Sequence, residues 1–167
     1  MKKISVLLCC VLLLQMFCSC GRKKEEFKKP VNFYYCKNEV SYNSAQAVIQ
    51  PETREGYGYH DNAVALMHAY LLGPESSELE TLIPSDVYLV SCTVENGIAH
   101  TVLSSQFANV TGLKLSLVSS AMLMTLHEFA GVEELHLSAK GAKIDDKDVL
   151  TLAMDDIVLM DTVTTEE

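Results

Sequence analysis

Tryptophan is absent from the chain, and aromatic residues make up only 7% of it. Stacked aromatic platforms of the kind that hold glycans are therefore hard to build, the more so because the tyrosines are scattered between Tyr34 and Tyr88. Metal-binding patterns are missing too. The five histidines, His60, His68, His100, His127 and His136, form no His-x-x-x-His or Glu-flanked pair on a helix, and no two cysteine pairs could close a zinc shell. His100 and His136 could share an open sheet face, but two ligands fall short of the usual three or four. No cofactor is expected. No Gly-x-Ser-x-Gly elbow or Gly-rich phosphate loop occurs. Ser104 and Ser105 follow a strand without an evident base or oxyanion partner. The neighbouring carboxylates Glu133–Glu134, Asp145–Asp146 and Asp155–Asp156 would point to different faces of a strand and so would not flank one bond. Nor do they have the spacing of a calcium loop. The chain reads as a protein that is not an enzyme. Positive charge is also scarce outside one segment. The formal charge is −9 overall, residues 1–29 carry +5, and residues 30–167 are left with −14. A body this acidic repels phosphate backbones, so no nucleic-acid partner is expected.

What is present begins with LLLQMFCSCGRKK, residues 12–24. Lys2 and Lys3 precede an apolar run from Ile4 to Phe17, too short for a good membrane span and laid out as a secretory signal. Cys20 has an apolar residue (Phe17) and two small ones (Cys18, Ser19) before it. This box resembles that of bacterial lipoprotein signal peptides, which implies cleavage after Ser19 and lipidation of Cys20, with palmitate among the acyl groups. An uncleaved membrane anchor and thiol chemistry are the alternatives. The reading divides the chain into a signal (1–19), a lipidated cysteine with a basic tether (20–30), a domain (31–144) and an acidic C-terminal tail (145–167). The tether segment GRKKEEFKK carries +3, and would be drawn to anionic headgroups by about 1 kcal/mol per charge near the surface. A solvated spacer is the plain alternative. Ten extended residues reach about 33 Å, which would keep the domain at the outer face of the bacterial cytoplasmic membrane. Cys36 and Cys92 then remain, either as a possible disulfide or as two half-buried strand thiols.

Local patterns give the order of elements. VNFYYC (31–36) reads as a strand, and AVIQPETREGYG as a weaker partner ended by Pro51 and two glycines. HDNAVALMHAYLLGP (60–74) reads as a helix capped by Asp61 and stopped by Gly73 and Pro74, with Ala63, Val64, Met67, Tyr70 and Leu71 as its stripe. ESSELETLIPSD reads as a linker anchored by Leu82 and Ile83. Asn96-Gly97 marks a type I′ hairpin between strands at about 87–94 and 98–103. Alternation groups Val90, Cys92 and Val94 on one face of the first strand, and Ala99, Thr101 and Leu103 on one face of the second. Residues 111–131 read as a second helix buried through Leu115, Val118, Met122, Leu126 and Phe129 and closed by Gly131. Residues 132–141 read as a strand with Leu135 and Leu137 on one face, and the acidic tail has room for one more short strand before a disordered end. The simplest packing is α+β: one small, mostly antiparallel sheet with two helices on one face.

Five stretches in this order resemble the GerMN domain, the sporulation and spore germination family: QPETRE (50–55), LLGP (71–74), IP (83–84), NGIAHTVLS (96–104) and TLHEFAGV (125–132). The resemblance spans about residues 31–141. It implies a non-enzymatic module of membrane-anchored proteins, similar to the ring-building motifs of sporulation assemblies. Expected partners are the membrane through the lipid, and envelope or sporulation proteins or a second copy. Peptidoglycan is the alternative ligand. His100-Thr101-Val102 stands where Tyr-Val-Asp is more usual, and Ala130 where Pro is common. The matching residues are turn, cap and core positions, so they imply a fold and no functional site.

Overall fold

The computed structural model describes residues 30–38, 48–56, 59 and 62–157. The signal, Cys20 and its tether up to residue 29, His60, Asp61 and the end of the tail lie outside them. Among these residues, seven strands and two α-helices follow one another as β1 (Pro30–Lys37), β2 (Ile49–Glu55), α1 (Ala63–Leu71), β3 (Leu79–Glu80), β4 (Leu89–Glu95), β5 (Ile98–Leu103), α2 (Gly112–Ala130), β6 (Glu134–Ala139) and β7 (Leu150–Ala153). Short 3₁₀ turns occupy Ser105–Asn109 and Met154–Asp156. The fold is α+β with mostly antiparallel pairing, as expected. The strands, however, form two sheets where one was expected, ordered β2-β1-β3 and β4-β5-β6-β7.

The reason lies in α2. Leu115, Val118, Met122 and Leu126 form the stripe that faces the main core, where Leu135 and Leu137 of β6 are fully buried. Leu117, Ala121 and Met124 form a second stripe, which packs against Tyr34, Cys36 and Ile49. A helix that is apolar on two sides is stable only when both are covered, and one sheet reaches one side. The strand pair β1–β2 therefore lies along the second side, tied by Tyr34 N–H donating to Thr125 Oγ1 at 3.0 Å. The buried hydroxyls of α2 cost little, because Ser119 and Thr125 donate back to the carbonyls of Leu115 (2.7 Å) and Ala121 (2.9 Å).

Within the second sheet, Asn96 (φ 53°) and Gly97 (φ 79°) turn the β4–β5 hairpin with both central residues left-handed, as the type I′ turn demands. β5 and β6 are parallel, and the 3₁₀ turn and α2 supply the long crossover such a pair needs. Ala99, Thr101 and Leu103 point into the core, as alternation predicts. Val90 does not join Cys92 inside. A bulge between Leu89 and Ser91 shifts the register, so that Leu89 is buried and Val90 is exposed.

Further details differ from the sequence reading. Asn62 is the N-cap of α1, its side-chain oxygen accepting from Ala65 N–H at 3.0 Å. The buried face of α1 is Leu66, Met67 and Tyr70, and Val64 is exposed. In AVALMHAYL apolar residues run almost all the way round, so periodicity alone does not fix which side turns inward. Pro51 does not end β2 but pairs with Tyr34 inside it. That is tolerated because β2 is an edge strand, whose outward positions need no amide donor. The 79–80 stretch, read as linker, is β3 and pairs with β1. β7 lies within the segment read as acidic tail, and it pairs antiparallel with β6 while Leu150, Leu152 and Ile157 pack on the core.

Candidate functional site

The sequence motifs meet in space. Glu52 and Arg54, from QPETRE, project from β2 onto the chain that leaves α1 at LLGP. The Arg54 guanidinium donates to the Gly73 carbonyl (2.7 Å) and to Glu52 (Nε to Oε1, 2.7 Å). It also lies over the Phe33 ring, 4.5 Å from the centroid, and 5.6 Å from that of Tyr35. Glu52 in turn accepts from the amides of Ser76 (2.7 Å) and Glu75 (2.9 Å). Both charged side chains are only 10% exposed. Burial alone would raise the pKa of the Glu52 carboxyl, but those two amides and Arg54 outweigh it and hold the group below its ordinary value. Burial pushes the Tyr35 hydroxyl well up despite Arg54, and Tyr35 donates to the Tyr70 carbonyl at 3.0 Å. These bonds hold β2 on the α1–β3 connection, so the cluster acts as a structural clamp.

The remaining motifs behave alike. The Gly97 carbonyl accepts from Glu133 N–H at 2.8 Å, joining the hairpin turn to the loop after α2, where Gly131 (φ 63°) ends the helix. The Pro84 carbonyl accepts from Val87 N–H, and Ile83 is buried. Ser104 is buried, its hydroxyl accepting from Tyr88 N–H at 3.2 Å.

The open face of the second sheet does bring two predicted site residues together. His100 and His136 are register partners on β5 and β6, their rings 4.8 Å apart and edge-on at 83°. Thr93 and Thr151 flank them on β4 and β7, and His136 Nε2 meets Glu134 Oε1 at 2.5 Å. Among the described residues no group of three or more His, Cys, Asp or Glu is arranged to hold a metal ion. Of the other histidines described, His68 is exposed on α1, and His127 Nδ1 sits 2.9 Å from the Val132 carbonyl. Cys36 and Cys92, the pair considered for a bridge, are free buried thiols in separate hydrophobic clusters, Cys92 lying against the Thr101 hydroxyl. Burial pushes the Cys36 thiol up to about 11, so it stays protonated and unreactive at neutral pH. A groove of about 380 Å³ beside the start of α2 has Ser116, Ser119 and Ser120 on one side and Asp145 and Asp156 on the other. Asp156 is already used, accepting from Ala153 N–H at 3.1 Å. No described helix is long and apolar enough to cross a membrane.

A family model described as sporulation and spore germination matches residues 32–145. The chain belongs to that family. Among solved structures it is similar to the tandem GerMN domains of the Bacillus subtilis sporulation protein GerM, with a TM-score of 0.59 and 18% identity over 84% of this chain and 50% of that one. It is also similar to the first GerMN domain of the same protein, with a TM-score of 0.53, 13% identity, 74% of this chain and 97% of that one. A Clostridium perfringens chain described as a candidate lipoprotein gives a TM-score of 0.51 and 14% identity, over 82% of this chain and 95% of that one. At these identities the structures share the fold. This chain spans half the length of the tandem GerM structure. Comparison with curated proteins gives no match.

Proposed function

We propose that this family member is a lipid-anchored, extracytoplasmic interaction domain without enzymatic activity, acting in sporulation, spore germination or cell-envelope assembly. The observation that carries the reading is the family match over residues 32–145. Three others support it. The signal and the Cys20 box give a route to the outer face of the cytoplasmic membrane, and the basic residues beyond Cys20 would sit well against anionic lipid. Glu52, Arg54, Ser104 and Asp156 are bonded to backbone groups of the fold itself. A similar structure is described as a candidate lipoprotein. The peptidoglycan-binding alternative calls for an exposed aromatic face, and Tyr88 is the one large aromatic strongly exposed among the described residues.

Anchoring is tested by intact mass and fractionation. The expected mature protein begins at Cys20, carries diacylglycerol and acyl mass, and sediments with membranes. Cys20→Ser is expected to keep the uncleaved signal and lose the lipid mass. A mature wild-type chain without lipid would sink the anchoring part of the reading.

A further inference from the structure

Resting on the reading of an interaction domain, we propose that two copies of this chain join through β4, pairing antiparallel over residues 91–95 to make one continuous eight-stranded sheet. The two sheets end in four edge strands, and three of them are blunted. β2 carries Pro51, β3 is two residues long, and β7 four. β4 is seven residues long, LVSCTVE, with its only charge at Glu95. Tyr88 and Val90, two of the six exposed large hydrophobics among the described residues, stand at its start.

The hairpin geometry says which backbone groups are unused. Across a two-residue turn Glu95 and Ile98 form the hydrogen-bonded pair, so Thr93 and Ser91 also bond to β5, while the amides and carbonyls of Cys92 and Val94 point outward. Among the described residues neither Cys92 nor Val94 has a backbone hydrogen bond beyond the hairpin. The bulge at Val90 ends the regular edge, which leaves Ser91–Glu95.

A second copy fits this five-residue edge in one register. Cys92 pairs with the other Val94 and Val94 with the other Cys92, so the outward groups of both strands bond each other. Thr93 then meets Thr93 on the open face, a favourable cross-strand pair. Glu95 meets Ser91, so the one charge on the strand never faces its own copy, which matters in a body of charge −14. Val94, partly buried, gains cover on the core side from Cys92 of the other strand. Five paired residues alone make a weak contact, below the area of standard stable interfaces. Confinement to one membrane surface would raise the effective concentration.

The test uses the full chain in its native membrane, with mild oxidant. Thr93→Cys places two thiols at the two-fold axis in a non-hydrogen-bonded pair, where side chains come closest. It is expected to give a disulfide-linked dimer at least tenfold above wild type. Thr151→Cys, at the far edge of the same open face, is expected to stay near background. Adding Val94→Pro to Thr93→Cys removes an outward amide that β5 does not use, so the fold is kept, checked by circular dichroism, while the dimer falls to background. Equal cross-linking at 93 and 151, no dimer at 93, or a dimer that survives Val94→Pro would overturn the proposal. If the chain still cross-links to a different envelope protein, the interaction reading stands and only the second copy is wrong.

Discussion

Phe33→Ala is expected to lower the unfolding free energy by about 3–5 kcal/mol, the usual range for deleting a buried phenylalanine ring. Phe33 is fully buried at the centre of β1, beneath Arg54 and edge-on to Tyr59 with ring centroids 5.6 Å apart. Three effects combine. The ring's buried area is lost, a cavity is left in the core, and Arg54 loses the aromatic face that shields it from water. Urea unfolding followed by circular dichroism would measure the change. A loss below about 1 kcal/mol would mean that the site collapses without cost, and that Phe33 is not the support of the clamp.

Arg54→Met is expected to cost about 2–3 kcal/mol by the same measurement. Breaking a fully buried ion pair costs about 3–5 kcal/mol, and the lower figure reflects that this pair keeps some solvent, which screens it. Methionine retains much of the stem packing over Phe33 and Tyr35, so the loss reports the bonds to Glu52 and the Gly73 carbonyl. The pH dependence follows from Glu52. Its pKa in the folded state lies below the ordinary 4.5. Its contribution is therefore fully present above that ordinary value, and is lost as pH falls through the lower folded value. Wild type should thus lose stability between about pH 5 and pH 3 more steeply than Arg54→Met, in which part of the cause of the depression is gone. Parallel acid profiles for the two proteins would show that the pair contributes nothing to the carboxyl's shift.

These effects explain why the family signature is legible in sequence while a functional site is not. Glycine and asparagine at the hairpin, Gly73 after α1 and Gly131 after α2 are required by left-handed backbone, and so stand out as letters. The Leu115-Val118-Met122-Leu126 stripe and the alternation of β5 and β6 are likewise visible, since each follows one period on one face. Two-sided features were not. The second stripe of α2, Leu117-Ala121-Met124, sits among serines and small residues, yet it accounts for the second sheet. It was the one signal that could have announced that sheet. The bulge at Val90 has no glycine to mark it, so alternation misplaced that side chain. β3 is held by pairing with β1, which no local pattern encodes. Glu52 and Arg54 belonged to a recognised stretch, but their partners are backbone groups about twenty residues away, and sequence cannot name those. At the histidines, position predicted the meeting of His100 and His136, because β5 and β6 each put alternate residues outward.

As an adaptor proposed to sit at the membrane's outer face, the domain should have its partners within reach there. In-cell photo-crosslinking of the tagged, lipidated protein, followed by mass spectrometry of the adducts, tests it most directly. Adducts to itself or to membrane-anchored envelope or sporulation proteins are expected. Adducts to wall glycan alone, or none at all, would contradict it.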